Sequence, residues 1–304
     1  MNPPTFGRVL TAMVTPFDDE GAFSPDAAAE LAAWLVDTQK NEGLVLAGTT
    51  GESPTLTHDE QGDLFRAVRS AVDVPIVAGT GSNDTAAAVD LTKRAIAAGV
   101  DGVLVVTPYY NRPSQAALVD HFTAVAEAAD ELPMLIYDIP VRTGRKVSTE
   151  ALLTLAHDVG NIIGIKDAAG DAAETAMLLS QAPDGFEIYS GDDGMTLPFL
   201  SIGAVGAIGV ATHWTGVEHL EMFEAFAAGD VVRARELNAQ MLPSFGFESM
   251  DAAPNPIPTK ALLRMLGHKV GYGRPPMHIE PPALEAAARA VLEGSGLAVE
   301  ALLP

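Results

Sequence analysis

The residues of this 304-residue chain best suited to chemistry are a lysine, several hydroxyls and an arginine, each lying just past a short apolar run. Lys166 closes Ile162-Ile163-Gly164-Ile165 and is one of six lysines. An amine enclosed by apolar interior is disfavoured as an ammonium, so its pKa falls and the neutral form can attack a carbonyl. The competing reading is a lysine whose stem packs while its charge reaches solvent or pairs with Asp167. Tyr137 ends the preceding run, so its phenol can share that space and move protons for Schiff-base chemistry. It can equally be a core tyrosine bonded to a carbonyl. Thr49 and Tyr110 offer hydroxyls that would extend a proton path, although a threonine in a Gly-flanked turn is also ordinary turn chemistry. Gly48-Thr49-Thr50-Gly51 supplies small residues and approachable N–H groups suited to a small carboxylate. Arg142 could clamp a second carboxylate bidentately, or pair on the surface with one of 40 acids.

Other motifs carry less. Gly191-Asp192-Asp193-Gly194 reads as a turn and helix N-terminus rather than a metal site, since adjacent acids point apart and no histidine joins them. Gly79-Thr80-Gly81-Ser82-Asn83-Asp84 lacks the last glycine of a dinucleotide loop. The seven histidines are scattered, with only His213 near a strand end. That argues against a metal-dependent aldolase and predicts no metal ligands. Cysteine is absent, which removes disulfides, thiolate metal sites and cysteine nucleophiles.

These residues need a scaffold that aims them at one point. Eight β-branched apolar runs recur, at Val9–Val14, Leu44–Ala47, Pro75–Ala78, Val103–Val106, Met134–Tyr137, Ile162–Ile165, Phe186–Tyr189 and Ala207–Val210. Helical patterns follow them, opening at Ser24-Pro25, at the capping box Thr57-His58-Asp59-Glu60, near Asp84, Ser114, Ser148 and Asp171, around Gly194–Ile202 and over Gly216–Ala228. Continuous rather than alternating apolar runs predict strands buried on both faces of a parallel sheet. Eight such units predict an α/β fold, a (β/α)8 TIM barrel over residues 1–229 with its site at the C-terminal strand ends. Helical patterns at Val231–Met241, Thr259–Leu266 and Pro282–Glu293, with a Pro-rich connector at Ala253–Pro258, predict a C-terminal helical domain over 230–304.

Composition narrows the function classes. With 48% hydrophobic and 19% charged residues the chain can bury a sizeable core. A formal charge of -22 excludes a general nucleic-acid binder and disfavours docking on anionic membrane. Apolar stretches such as Ile202–Ala211 fall far short of the roughly 20 residues of a membrane span. Met1–Arg8 has no secretory pattern, so a cytoplasmic location is expected.

Six segments resemble the dihydrodipicolinate synthase family in order and spacing. They are Gly48-Thr49-Thr50-Gly51-Glu52-Ser53, Thr107–Pro113 (TPYYNRP), Tyr137–Gly144 (YDIPVRTG), Gly164–Gly170 (GIKDAAG), Ser190-Gly191-Asp192-Asp193 and Asn255–Lys260 (NPIPTK). The wider group is the pyruvate-dependent class I lyases and aldolases, which includes N-acetylneuraminate lyase and 2-keto-3-deoxygluconate aldolase. The resemblance implies that Lys166 forms a Schiff base with pyruvate. It implies that Tyr137, Thr49 and Tyr110 form a proton relay, with Tyr110 reaching across a tight dimer interface. Thr50 would hold the pyruvate carboxylate, Arg142 the carboxylate of aspartate semialdehyde, and Gly191 and Ile208 would match backbone positions around the pyruvate pocket. A homotetramer built as a dimer of dimers, with no metal or organic cofactor, is implied as well. Arg142 and the TPYYNRP loop favour the synthase over the sugar-acid members, which remain the alternative, and a non-catalytic keto-acid sensor is a further one. Asp138 stands where many synthases have Asn and Asp167 where many have Glu, and the segment 209–214 is less typical. In lysine-sensitive relatives, His and Glu line the allosteric cleft at positions matching Gln61 and Ala87, so weak or absent lysine inhibition is expected.

Overall fold

A computed structural model describes residues 3–294. Strands β1 (Val9–Ala12), β2 (Gly43–Leu46), β3 (Ile76–Gly79), β4 (Gly102–Val106), β5 (Met134–Asp138), β6 (Ile162–Asp167), β7 (Glu187–Ser190) and β8 (Gly206–Gly209) pair in parallel and in sequence order. The barrel closes where β1 meets β8, with Leu10 opposite Ile208. Each strand is buried on both sides, which is why its sequence reads as an unbroken apolar run. Leu10, Val45, Val77, Leu104, Leu135 and Ile208 fill the interior. Alternate residues such as Val103, Val105 and Ile136 face outward into a cluster shared with the surrounding helices.

Those helices are α1 (Pro25–Asp37), α2 (His58–Arg69), α3 (Thr85–Ala97), α4 (Gln115–Ala129), the short α5 (Pro140–Thr143), α6 (Thr149–Asp158), α7 (Ala172–Leu179), α8 (Thr196–Ser201) and α9 (Thr212–Ala227). The capping box opens α2, with the Glu60 amide donating to the Thr57 hydroxyl at 3.2 Å and the Thr57 amide to the Glu60 carboxylate at 2.8 Å. Ser114 and Ser148 cap α4 and α6 in the same sense, each accepting a backbone N–H at 3.2 Å. Ser24 occupies the N-cap position of α1 but makes no side-chain cap bond; its carbonyl accepts the Ala28 amide, and Pro25 stands at the first helical position.

Among the described residues three more helices follow the barrel, α10 (Val231–Glu248), α11 (Ile257–Met265) and α12 (Leu284–Gly294). Residues 295–304 of the expected C-terminal helical segment lie outside the described residues. Two boundaries differ most from expectation. Helix α9 starts at Thr212, with a kink at Thr215, rather than at Gly216. Helix α10 runs through Pro243 to Glu248 instead of stopping at Met241. An internal proline costs about 3 kcal/mol. Burying Phe245 and Phe247 in the cluster of Trp214, Leu237 and Met241 contributes roughly 1.5–3 kcal/mol per side chain and offsets it. That cluster also holds Val9 of β1 and Ala207 of β8, and the Trp214 indole donates to the Ser244 hydroxyl at 2.9 Å.

Candidate active site

Cross-strand partners in a sheet project from the same face. Tyr137 of β5 is registered opposite Lys166 of β6, and Lys166 opposite Tyr189 of β7. Tyr137 and Lys166 therefore meet at the upper rim of the barrel, where the lysine Nζ lies 4.3 Å from the centre of the Tyr137 ring. Asp167, one residue on, turns to the opposite face. Its carboxylate accepts the Ala169 amide at 2.8 Å and the Thr175 hydroxyl at 2.6 Å, so it is not the lysine's partner.

A cavity of about 680 Å³ opens above this pair. It is walled by Thr49, Thr50, Tyr137, Arg142, Lys166 and Gly191, all expected from the sequence. Lys166 is 5% exposed. Burial brings its pKa down to about 8; Asp193 and Glu248 pull it back, and Arg142 adds to the fall. At neutral pH such an amine is about one-tenth free base, where an ordinary lysine is well under about a thousandth. Burial pushes the Tyr137 phenol up to about 12, against the Arg142 charge and a hydrogen bond from Thr49. The phenol at rest is thus a proton donor. Gly191 must lack a side chain, because a Cβ there would stand 2.9 Å from Lys166 Cγ. Thr50 is buried, and its hydroxyl accepts the Asn255 side-chain amide at 2.9 Å. Arg142, on α5, is exposed at the mouth with its side chain on the wall.

Two further residues named from the sequence are not on the wall within one chain. The Ile208 side chain is fully buried in the barrel interior, in one cluster with Tyr137 and Tyr189, and does not line the cavity; the expectation for it concerned its backbone. Tyr110 is 91% exposed on the loop after β4, with φ 72°, and does not line the cavity within one chain. His213 is buried in α9, where Nε2 accepts the Val14 amide at 3.1 Å, and it takes no part in the site.

Asp193 serves structure as well as electrostatics. One oxygen accepts the Val210 and Ala211 amides at 2.8 and 3.0 Å, and the other lies 3.6 Å from His219 Nε2. Among the described residues no group of three or more His, Cys, Asp or Glu is placed to hold a metal ion.

The sequence reading passed over two residues on the wall, Asn255 and Glu248. Asn255 opens the segment NPIPTK, and the bond that orients it, from the Thr259 hydroxyl at 3.2 Å, only the fold reveals. Glu248 gave no signal, being one acid among 40 and beyond a proline that reads as a helix stop. Gln61 sits apart, on a second cavity of about 180 Å³ lined also by Ser53, His58 and Tyr109, and Ala87 is not on its wall. Among the described residues no helix is long and apolar enough to cross a membrane.

This geometry has close counterparts. A curated 4-hydroxy-tetrahydrodipicolinate synthase from Parasynechococcus marenigrum (strain WH8102) is 49% identical over 279 residues, 91% of each chain. A crystal structure of dihydrodipicolinate synthase from Bacillus anthracis is 41% identical and superposes with a TM-score of 0.91, over 95% of this chain and 98% of that one. The enzyme from Cyanidioschyzon merolae, crystallised with lysine bound, is 40% identical with a TM-score of 0.93, over 97% and 99%. The model of the dihydrodipicolinate synthetase family matches residues 5–291, and this enzyme chain belongs to that family.

Proposed function

We propose that the protein condenses pyruvate with L-aspartate-4-semialdehyde to give 4-hydroxy-tetrahydrodipicolinate, as a step of lysine and diaminopimelate biosynthesis. The observation that carries this is the buried Lys166 amine beside the Tyr137 phenol on the wall of a cavity that also holds Thr50 and Arg142. The comparisons support the synthase reading and not the sugar-acid aldolase or sensor alternatives.

The neutral Lys166 amine adds to the pyruvate ketone, and the carbinolamine loses water as Tyr137 donates a proton to the departing hydroxyl. Thr50, fixed by Asn255, holds the pyruvate carboxylate. The iminium draws electrons from the adjacent methyl group. Its proton leaves to the tyrosyl oxygen, and the resulting enamine adds to the aldehyde of a semialdehyde whose carboxylate Arg142 clamps. The substrate amine then attacks the imine carbon, closing the ring and returning Lys166 as the free amine. The iminium is the electron sink, so this route calls for no metal or organic cofactor. Holding both reactants in one enclosed cavity supplies much of the advantage.

Tyr110, exposed on a backbone in the left-handed region, would complete the relay of a second copy in a homotetramer working in the cytoplasm. Such strain, on the order of 1–3 kcal/mol, persists where a surrounding structure over-determines it. Lysine inhibition is expected to be weak or absent, because Gln61 and Ala87 offer no charged partner to a lysine ammonium. Strong inhibition at low lysine concentration in a purified-enzyme assay would contradict this.

Borohydride with pyruvate, followed by peptide mass mapping, tests the main reading. A reduced pyruvyl adduct on the Lys166 peptide, lost in Lys166→Ala, is the expected result. An unmodified wild-type protein would overturn it.

A further inference from the structure

Glu248 occupies a position that the fold alone does not reward. It is the last residue of α10, at the end where helix carbonyls make the field negative and an acid is disfavoured. It lines the cavity together with Asp192 and Asp193 of the turn after β7, so two like charges face it. Partial burial first, then Asp193 and Asp192, raise its carboxyl above the ordinary carboxylate range, against the pull of Arg142 and Lys166. Among the described residues no donor bonds this carboxyl. A half-buried acid on the cavity wall, without a protein donor and disfavoured by both the helix end and two like charges, is kept for what enters the cavity, not for packing.

The other acids of the wall are engaged or exposed. Asp193 holds the backbone of residues 210 and 211, Asp192 accepts the Gly194 amide at 2.9 Å, and Asp251 faces solvent. Arg142, from α5, is the cationic residue at the mouth, while Lys166 is committed to the ketone at the floor. On the reading under Proposed function, on which this inference rests, the second substrate carries one carboxylate and one ammonium. With Arg142 on the carboxylate, the ammonium enters a partly dry cavity and needs an anionic partner.

We propose that Glu248 is a specificity residue that accepts the α-ammonium of the second substrate, opposite Arg142 on its carboxylate, so that the site selects amino-acid aldehydes over amine-free ones. The carboxyl releases its proton to solvent as the ammonium arrives, leaving a charge-assisted hydrogen bond inside the cavity.

The test compares wild type, Glu248→Gln and Glu248→Asp. Three readouts are taken: KM for aspartate semialdehyde, KM for pyruvate, and the inhibition constant of succinate semialdehyde, which keeps the carboxylate and lacks the amine. Loss of a charged hydrogen bond predicts a rise of about 10- to 100-fold in KM for aspartate semialdehyde in Glu248→Gln. KM for pyruvate and the succinate semialdehyde constant should move by less than about twofold, within ordinary context dependence. Glu248→Asp should recover part of the loss. An unchanged KM for aspartate semialdehyde, or an equal loss for the amine-free aldehyde, would overturn the inference. Borohydride trapping of pyruvate is run on the same samples. A wild type that traps pyruvate and condenses the semialdehyde while Glu248→Gln shows no selective loss sinks the Glu248 assignment alone, whereas a wild type without an adduct sinks the function beneath it.

Discussion

At the scale of single residues, burial sets the chemistry. Lys166 and Tyr137 are both enclosed, and enclosure moves them toward the same state, a neutral amine beside a neutral phenol. Because the free-base fraction of the amine grows with pH and dominates above its pKa, the rate of pyruvate trapping should rise with pH and level off above about 8, and the borohydride experiment run across pH checks this. Asp138 shows the cost of burying an acid. It accepts the Val147 amide at 3.3 Å and the Thr107 hydroxyl at 3.4 Å, yet burial, helped by Asp167, raises its pKa to about 7. The native state then binds more protons than the unfolded chain between about pH 4 and pH 7, so this group's contribution to stability falls as pH rises through that window. Asp138→Asn keeps an accepting oxygen and has no charge to bury. Its Tm relative to wild type should climb from pH 4.5 to pH 8, by the equivalent of at most about 4 kcal/mol. A flat difference across that range would refute the account.

At the scale of elements, the site depends on how α11 and the loop after β2 are joined. Lys260 of α11 places Nζ 2.7 Å from a Glu52 oxygen, with both side chains essentially buried, and 4.0 Å over the Phe17 ring. Its third contact is the Tyr272 carbonyl at 3.1 Å. The other Glu52 oxygen accepts the Arg274 amide at 2.9 Å. The lysine of NPIPTK and the glutamate of GTTGES are thus two halves of one buried pair that holds Asn255 against Thr50. Removing one half strands a buried charge. Glu52→Gln should cost about 3–5 kcal/mol in denaturant unfolding, and raise KM for pyruvate through displaced Thr50. Full stability in that variant would show that the pair is not what joins these elements.

At the scale of the whole molecule, one described chain builds the cavity but leaves Tyr110 outside it. If a second copy supplies that hydroxyl, two defective variants should repair each other when mixed. Lys166→Ala carries an intact Tyr110, and Tyr110→Phe an intact Lys166. Dissociated and reassembled together, random pairing makes half the dimers mixed, each with one good site, so about a quarter of wild-type activity should return. No recovery beyond the sum of the two parents, with mixed oligomers verified by mass, would place the relay within one chain.

The order and type of the barrel elements were legible in the sequence because strands buried on both faces leave unbroken apolar runs, and cap residues mark helix starts through local hydrogen bonds alone. The positions of Lys166, Tyr137, Thr49, Thr50, Arg142 and Gly191 followed from the strand ends, since the parallel barrel brings all those ends to one rim. Tertiary structure decided the rest. It set the registry that faces Tyr137 toward Lys166 and turns Asp167 away, and it packed the Ile208 side chain into the barrel interior. It also carried α10 past Pro243, so that Glu248 reaches the wall. These outcomes depend on contacts between segments up to about 200 residues apart, as Asn255 and Thr50 are. Local pattern cannot encode such contacts, because packing of phenylalanines against a distant tryptophan overrides a proline's local preference.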